Sequence, residues 1–256
     1  MPASPRRSRR GGRRKRGTST AGMSIEEVVS QVAHAVSERM GLDLIGLGPD
    51  DIRDIVDDIV RGIMESRSTK PTIESLVKRI VAGAQHLRKA IAYKLLEQRG
   101  EELTLEQIEF IIANAPEAAG RSAPILYRIA SRYNAEHLIS ALQVLWSRYG
   151  KRTPIRCPRC GFEAVTPELV CMVCNAILDE REVKSAIGFT RKLELLARSA
   201  PIPIVREILQ AGFVVLDDEV HAPSTAPRRG FRVEIYLDKT EKELVKRILR
   251  ERGFPL

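Results

Sequence analysis

Four cysteines constrain this chain more than anything else in it. Cys157, Cys160, Cys171 and Cys174 are its only cysteines, and they stand as two C-x2-C pairs separated by ten residues. A C-x2-C pair lets two thiolates from one tight turn reach the same ion, and two such turns complete a tetrahedral set of four sulfurs. The stretch between the pairs has few apolar contacts to offer, among them Phe162, Val165 and Leu169, so a metal is expected to supply what a core cannot. Gly161 suits a turn that needs a positive φ, and Pro158 stiffens the first loop. One structural zinc ion is expected, because four thiolates leave no open coordination position. His34, His86, His137 and His221 are scattered, and each reads as a surface or half-buried helix residue.

No apolar run approaches the roughly 18 residues of a membrane span. No apolar stretch follows the basic N-terminus as a secretory signal would require. A cytoplasmic, reducing location is expected, where paired cysteines serve as metal ligands more than as disulfides.

Residues 154–178, with C-P-R-C-G and C-M-V-C, resemble the zinc-ribbon superfamily of rubredoxin-like knuckles. The resemblance covers a small part of the chain and implies metal binding without choosing a function. Such ribbons occur in transcription factors, polymerase subunits, ribosomal proteins and RNA-processing factors, and as staples inside enzymes. Asn175 follows the second pair, where many ribbons carry glycine, which departs from the doubled C-P-x-C-G of iron rubredoxins.

The net charge of +9 is unevenly placed. Residues 1–22 hold eight basic side chains (Arg6, Arg7, Arg9, Arg10, Arg13, Arg14, Lys15 and Arg16) and no acid, leaving 34 basic against 33 acidic residues in the rest. Such a segment cannot bury apolar surface, and a disordered polycationic tail that orders on RNA or DNA is expected. The alternative is a wrongly assigned start, since Met23 begins a clean helix. Asn is rare while Arg, Glu, Ile and Val are common, a balance that leans toward a thermophilic source.

The rest of the chain divides by pattern into a helical bundle at 23–150, the ribbon at 151–178 and a small α+β domain at 179–256, a mainly α fold. Ser24 with Glu27 makes a capping box and Gly41 a stop. Pro49 starts a helix with Ile52, Ile55, Val56, Ile59, Val60 and Ile63 on one face. Thr72 starts a long helix ended by Gly100. Thr104 with Gln107 caps the next, Ser122 opens another, and Asn134 caps the one that runs through Leu138, Leu142 and Trp146. Five or six helices are expected in this bundle. After the ribbon come a helix broken near Gly188, a short helix to Gly212, a strand at Phe213–Leu216 and an alternating strand through Phe231, Val233, Ile235 and Leu237. Asp238 with Glu241 caps a final helix. The α+β part resembles a winged helix or a hairpin plus helix, but Ile204–Leu209 has too few polar groups to read base edges.

Five basic residues and no acid lie between Arg148 and Arg159: Arg148, Lys151, Arg152, Arg156 and Arg159. Tyr149 and Phe162 stand beside them. Basic groups fix phosphates and aromatics stack unpaired bases. The same arginines could instead offset the negative charge of a zinc–thiolate centre. Arg228, Arg229 and Arg232 form a second group at an expected hairpin tip. Lys242, Lys246 and Arg250 form a solvated stripe on the last helix.

Asp50-Asp51-Ile52-Arg53-Asp54 matches the D-D-x-x-D string of isoprenyl diphosphate synthases, but that chemistry needs a second such cluster and the chain has none. No P-loop, dinucleotide fingerprint, H-E-x-x-H or G-x-S-x-G is present. The expectation is a non-enzymatic, zinc-containing nucleic-acid-binding protein of the information-processing machinery, with RNA favoured over DNA. Protein partners would meet the helical bundle. The alternative is a protein-interaction subunit of a transcription or replication complex that docks through the ribbon.

Overall fold

A computed structural model of the chain describes residues 18–66, 70–217, 219–228 and 232–254. The eight basic residues from Arg6 to Arg16, together with Arg229 and Phe231, lie outside the described residues. Twelve α-helices and one three-stranded antiparallel sheet are found among them, so the chain is mainly α with a small α+β part at its C-terminal end. It divides into two units, Met1–Ile91 and Ala92–Leu256.

In the first unit, helix α1 (Ile25–Met40) starts at a complete Ser24–Glu27 capping box and stops at Gly41 in the left-handed region. Its inward stripe includes Val28, Val29, Val32 and Val36, all at most 2% exposed. Helix α2 (Arg53–Glu65) is entered through Pro49 and one 3-10 turn, and buries Val56, Val60 and Ile63. The acidic run at its start is ordinary helix-entry chemistry, since the Asp51 carboxylate accepts from the Gly48 N–H at 2.7 Å. Residues 18–22, grouped by charge with the tail, are packed here. The Thr20 hydroxyl is buried and donates to the Pro71 carbonyl at 2.7 Å, and Ile73 N–H donates to Thr18.

The long helix expected from Thr72 to Gly100 is two helices, α3 (Ile73–Ala82) and α4 (Ala84–Arg99). Gly83 separates them at φ −93° and ψ 24°, its N–H shared between the carbonyls of Arg79 and Ile80. Glycine is the weakest helix former after proline, so the break costs least there. The apolar stripe runs through it regardless, with Ile80 and Leu87 buried on either side.

The second unit opens with α5 (Leu105–Asn114), α6 (Pro116–Arg121), α7 (Ala123–Arg132) and α8 (Glu136–Tyr149). Among the described residues, eight α-helices therefore lie between 25 and 149, not five or six. The short α6 has only six residues, too few for a visible period, and Pro116 at its first turn is its one signal. Asn134 does not cap α8. It sits at φ 51° and closes α7 instead, with Ala135 N–H reaching back to the Ala130 carbonyl at 2.9 Å. Asparagine tolerates that left-handed geometry better than other non-glycine residues.

Beyond the cysteine segment come α9 (Glu180–Ala186), α10 (Phe189–Ser199), α11 (Ile202–Ala211) and α12 (Lys239–Glu251). Strands β1 (Phe213–Leu216), β2 (Glu219–His221) and β3 (Val233–Ile235) pair in the order β2-β1-β3, so this part takes the hairpin-plus-helix form. β1 is central and its Phe213, Val214 and Val215 are buried on both faces. Gly212 before it has φ 78°, and a Cβ there would lie 2.5 Å from the Ile235 carbonyl oxygen, so only glycine fits. The hairpin is β1–β2, which makes Arg228 part of the connection that carries the chain to the other edge of β1. Arg228 and Arg232 are therefore not at a hairpin tip. Arg232 is half-buried and donates to the Pro223 carbonyl at 3.3 Å.

Candidate metal centre

Each C-x2-C pair forms the same turn. Gly161 N–H donates to the Cys157 carbonyl and Asn175 N–H to the Cys171 carbonyl, both at 2.9 Å. Cys157 N–H then donates to Phe162 O at 2.8 Å, and Cys171 N–H to Ala176 O at 2.9 Å. The residue after each second cysteine is left-handed, Gly161 at φ 77° and Asn175 at φ 57°. Asn175 thus adopts the conformation that glycine supplies in the first turn. Bridges between Arg156 and Glu163 and between Val165 and Cys171 tie the turns together.

The four Sγ atoms lie within 4.8 Å of one another. Cys157 and Cys174 are 3.8 Å apart and Cys160 and Cys171 3.5 Å. A disulfide would need about 2.05 Å. A tetrahedron with metal–sulfur bonds of about 2.3 Å has edges of about 3.8 Å, so the two shortest separations fit a four-sulfur cage. Three of the cysteines are buried and Cys174 is half-buried.

Four such groups cannot all ionise unaided. The hydrogen bond between Cys160 and Cys171, together with burial, pushes Cys160 far up, while the same bond pulls Cys171 down to about 5. Burial raises Cys174 to about 11. Burial also raises the Tyr127 hydroxyl, with the cysteines' charge adding to it. A bound cation reverses this by stabilising every thiolate at once. The donor set therefore fits a metal ion held by Cys157, Cys160, Cys171 and Cys174.

Helix α8 carries the centre. Gln143 Nε2 donates to the Cys160 carbonyl at 2.9 Å, and Trp146 Nε1 to the Glu163 carbonyl at 2.8 Å. Phe162 is buried edge-on against Tyr127 (5.4 Å) and Trp146 (6.4 Å). These supports were not visible in the sequence as partners of the cysteines. Gln143 and Trp146 each stand 17 residues before the carbonyl they bond, and Trp146 reads in the sequence simply as a core residue.

The basic residues around the ribbon are mostly spoken for. Arg152 pairs with Glu163 at 2.6 Å and Asp217 at 3.3 Å, and Arg156 with Glu163 at 3.5 Å. Arg159 pairs with Glu182 at 3.0 Å and donates to the Ile177 carbonyl. Arg148 is exposed with its guanidinium 5.1 Å from the Tyr149 ring, and Lys151 and Arg228 are exposed. On the last helix, Lys246 and Arg250 pair with Glu243. The histidines stand apart from the centre, and His137 faces Glu109 at 3.0 Å. No family model, curated protein or solved structure matches this chain.

Proposed function

We propose that this is a non-enzymatic nucleic-acid-binding protein whose ribbon is held by one structural zinc ion. The observation that carries the zinc is the closed four-sulfur cage, with Sγ separations of 3.5 and 3.8 Å on two of its edges. Four thiolates fill a tetrahedral zinc, so the ion would hold the turns together and not activate water. Nucleic-acid binding rests on charge. Eight basic residues without an acid precede a body that is nearly neutral. Such a segment neutralises phosphates, and single-stranded or irregular RNA suits it as well as duplex DNA.

The test is affinity against salt. If all eight tail cations engage single-stranded RNA, log K falls with log salt at a slope of about −5 to −6. Deleting residues 2–17 should remove most of that slope, and an undiminished slope would refute the tail's role. Residues 18–22 are retained because they pack on the first unit.

A second reading has one observation in its favour. Ile177, whose carbonyl accepts from Arg159, is 76% exposed, while three arginines of the cysteine segment are bound to acids of the same chain. That surface suits docking to another protein of a transcription or replication assembly. Absence of salt-dependent binding to RNA and to duplex DNA would favour it.

A further inference from the structure

We propose that the groove where α9 and α10 meet α12 is a second, built-in contact for a phosphodiester backbone. This rests on the reading of the protein as nucleic-acid-binding. Two adjoining depressions, of about 550 and 880 Å³, share Thr190, Asp238 and Glu241 in their walls. Arg181 and Arg191 line the first and Lys239 the second. All three are exposed, and none of them forms an ion pair with a carboxylate among the described residues.

The acids in the same walls are already engaged. Asp238 accepts from Glu241 N–H at 2.8 Å. Glu241 holds the nearly buried Lys184 at 2.8 Å, and Glu243 pairs with Lys246 at 2.7 Å. Asp238 keeps its charge, but the three unpaired cations outnumber it, so the groove presents net positive charge in a concave surface, which concentrates field toward an incoming anion. Ser185 and Thr190 add exposed hydroxyl donors, the neutral groups that accompany Arg and Lys at phosphates. At the ribbon the opposite holds, since Glu163 and Glu182 take up three of its arginines.

The test uses the full metal-loaded chain and a fluorescent single-stranded RNA of about 20 nucleotides, with duplex DNA as a parallel arm. Changing Arg181→Gln, Arg191→Gln and Lys239→Gln together should reduce the salt slope on RNA by about 2 and weaken binding about a hundredfold at 0.1 M salt. A control with the same charge change elsewhere, Arg53→Gln, Lys78→Gln and Arg121→Gln, should leave the slope nearly unchanged. On the wild-type chain, ultraviolet cross-links to RNA should map to peptides holding Arg181, Arg191 or Lys239, a readout that needs no variant to fold. Wild-type binding that both triple variants reduce equally, or cross-links confined to residues 2–17, would overturn the groove while leaving nucleic-acid binding in place. No salt-dependent binding by the wild-type chain would overturn both.

Discussion

Gly161 and Asn175 occupy equivalent places in the two C-x2-C turns, and the difference between them is informative. Both are left-handed, which a residue with a branched Cβ resists. Asn175→Gly should leave stability within about 0.5 kcal/mol, while Asn175→Val should cost about 1–2 kcal/mol, read from thermal melts of the zinc-loaded chain. At Gly161 the constraint is double, because a Cβ would stand 2.5 Å from the Gln143 amide nitrogen. The clash is with a flexible side chain, so Gly161→Ala should fold but lose the Gln143–Cys160 hydrogen bond, at a cost of about 1–3 kcal/mol. If Gly161→Ala melts with the wild type, the docking of this turn on α8 is misassigned. The four-cysteine cluster was legible because C-x2-C spacing is local chemistry. Gln143 and Trp146 were not, because nothing near the cysteines in sequence marks a partner on a helix that precedes them.

Helices that announce themselves by capping boxes were legible for the same reason. Ser24–Glu27, Thr104–Gln107 and Asp238–Glu241 each satisfy two backbone donors within four residues, and α1, α5 and α12 begin where those boxes predict. Elements too short to show a period, α6 and β2, were missed. The break at Gly83 was missed because apolar periodicity reports which side faces inward and not whether the backbone is continuous. The approach of α6 to α8 was equally hidden. A Cβ on Gly120 would lie 2.6 Å from the Leu145 carbonyl oxygen and 2.9 Å from Tyr149 Cβ, contacts that the backbone cannot easily yield. Gly120→Ala should force the two helices apart and cost about 1–3 kcal/mol or more. Denaturant unfolding measures this, and an unchanged midpoint would mean that the helices tolerate a wider spacing. Since α8 also carries Gln143 and Trp146, the same variant should weaken zinc retention against a competing chelator.

The ribbon is more than a local staple within the second unit. Through Phe162, Cys160 and Glu163 it is bound to α7 and α8, through Arg159–Glu182 to α9, and through Arg152–Asp217 to the β1–β2 turn. The individual ion pairs are exposed and worth little alone. Their effect depends on a cysteine segment rigid enough to hold both ends, and a metal held by the four sulfurs would supply that rigidity. Metal removal should therefore lower the stability of the whole second unit, not only of residues 154–178. Binding a divalent ion expels the thiol protons, so affinity falls as pH falls. The stabilisation by metal should be full at pH 8 and lost progressively on acidification, as protons displace the ion. Melting the zinc-loaded chain at pH 8 with and without a strong chelator should separate the two curves by well over 10 °C, from a structural-zinc contribution of several kcal/mol. Cys171→Ser should melt like the chelated protein and show no response to added zinc. Near-coincident curves, with metal analysis confirming that the ion has gone, would mean that the α8 contacts alone hold the ribbon and that the cage adds only local order.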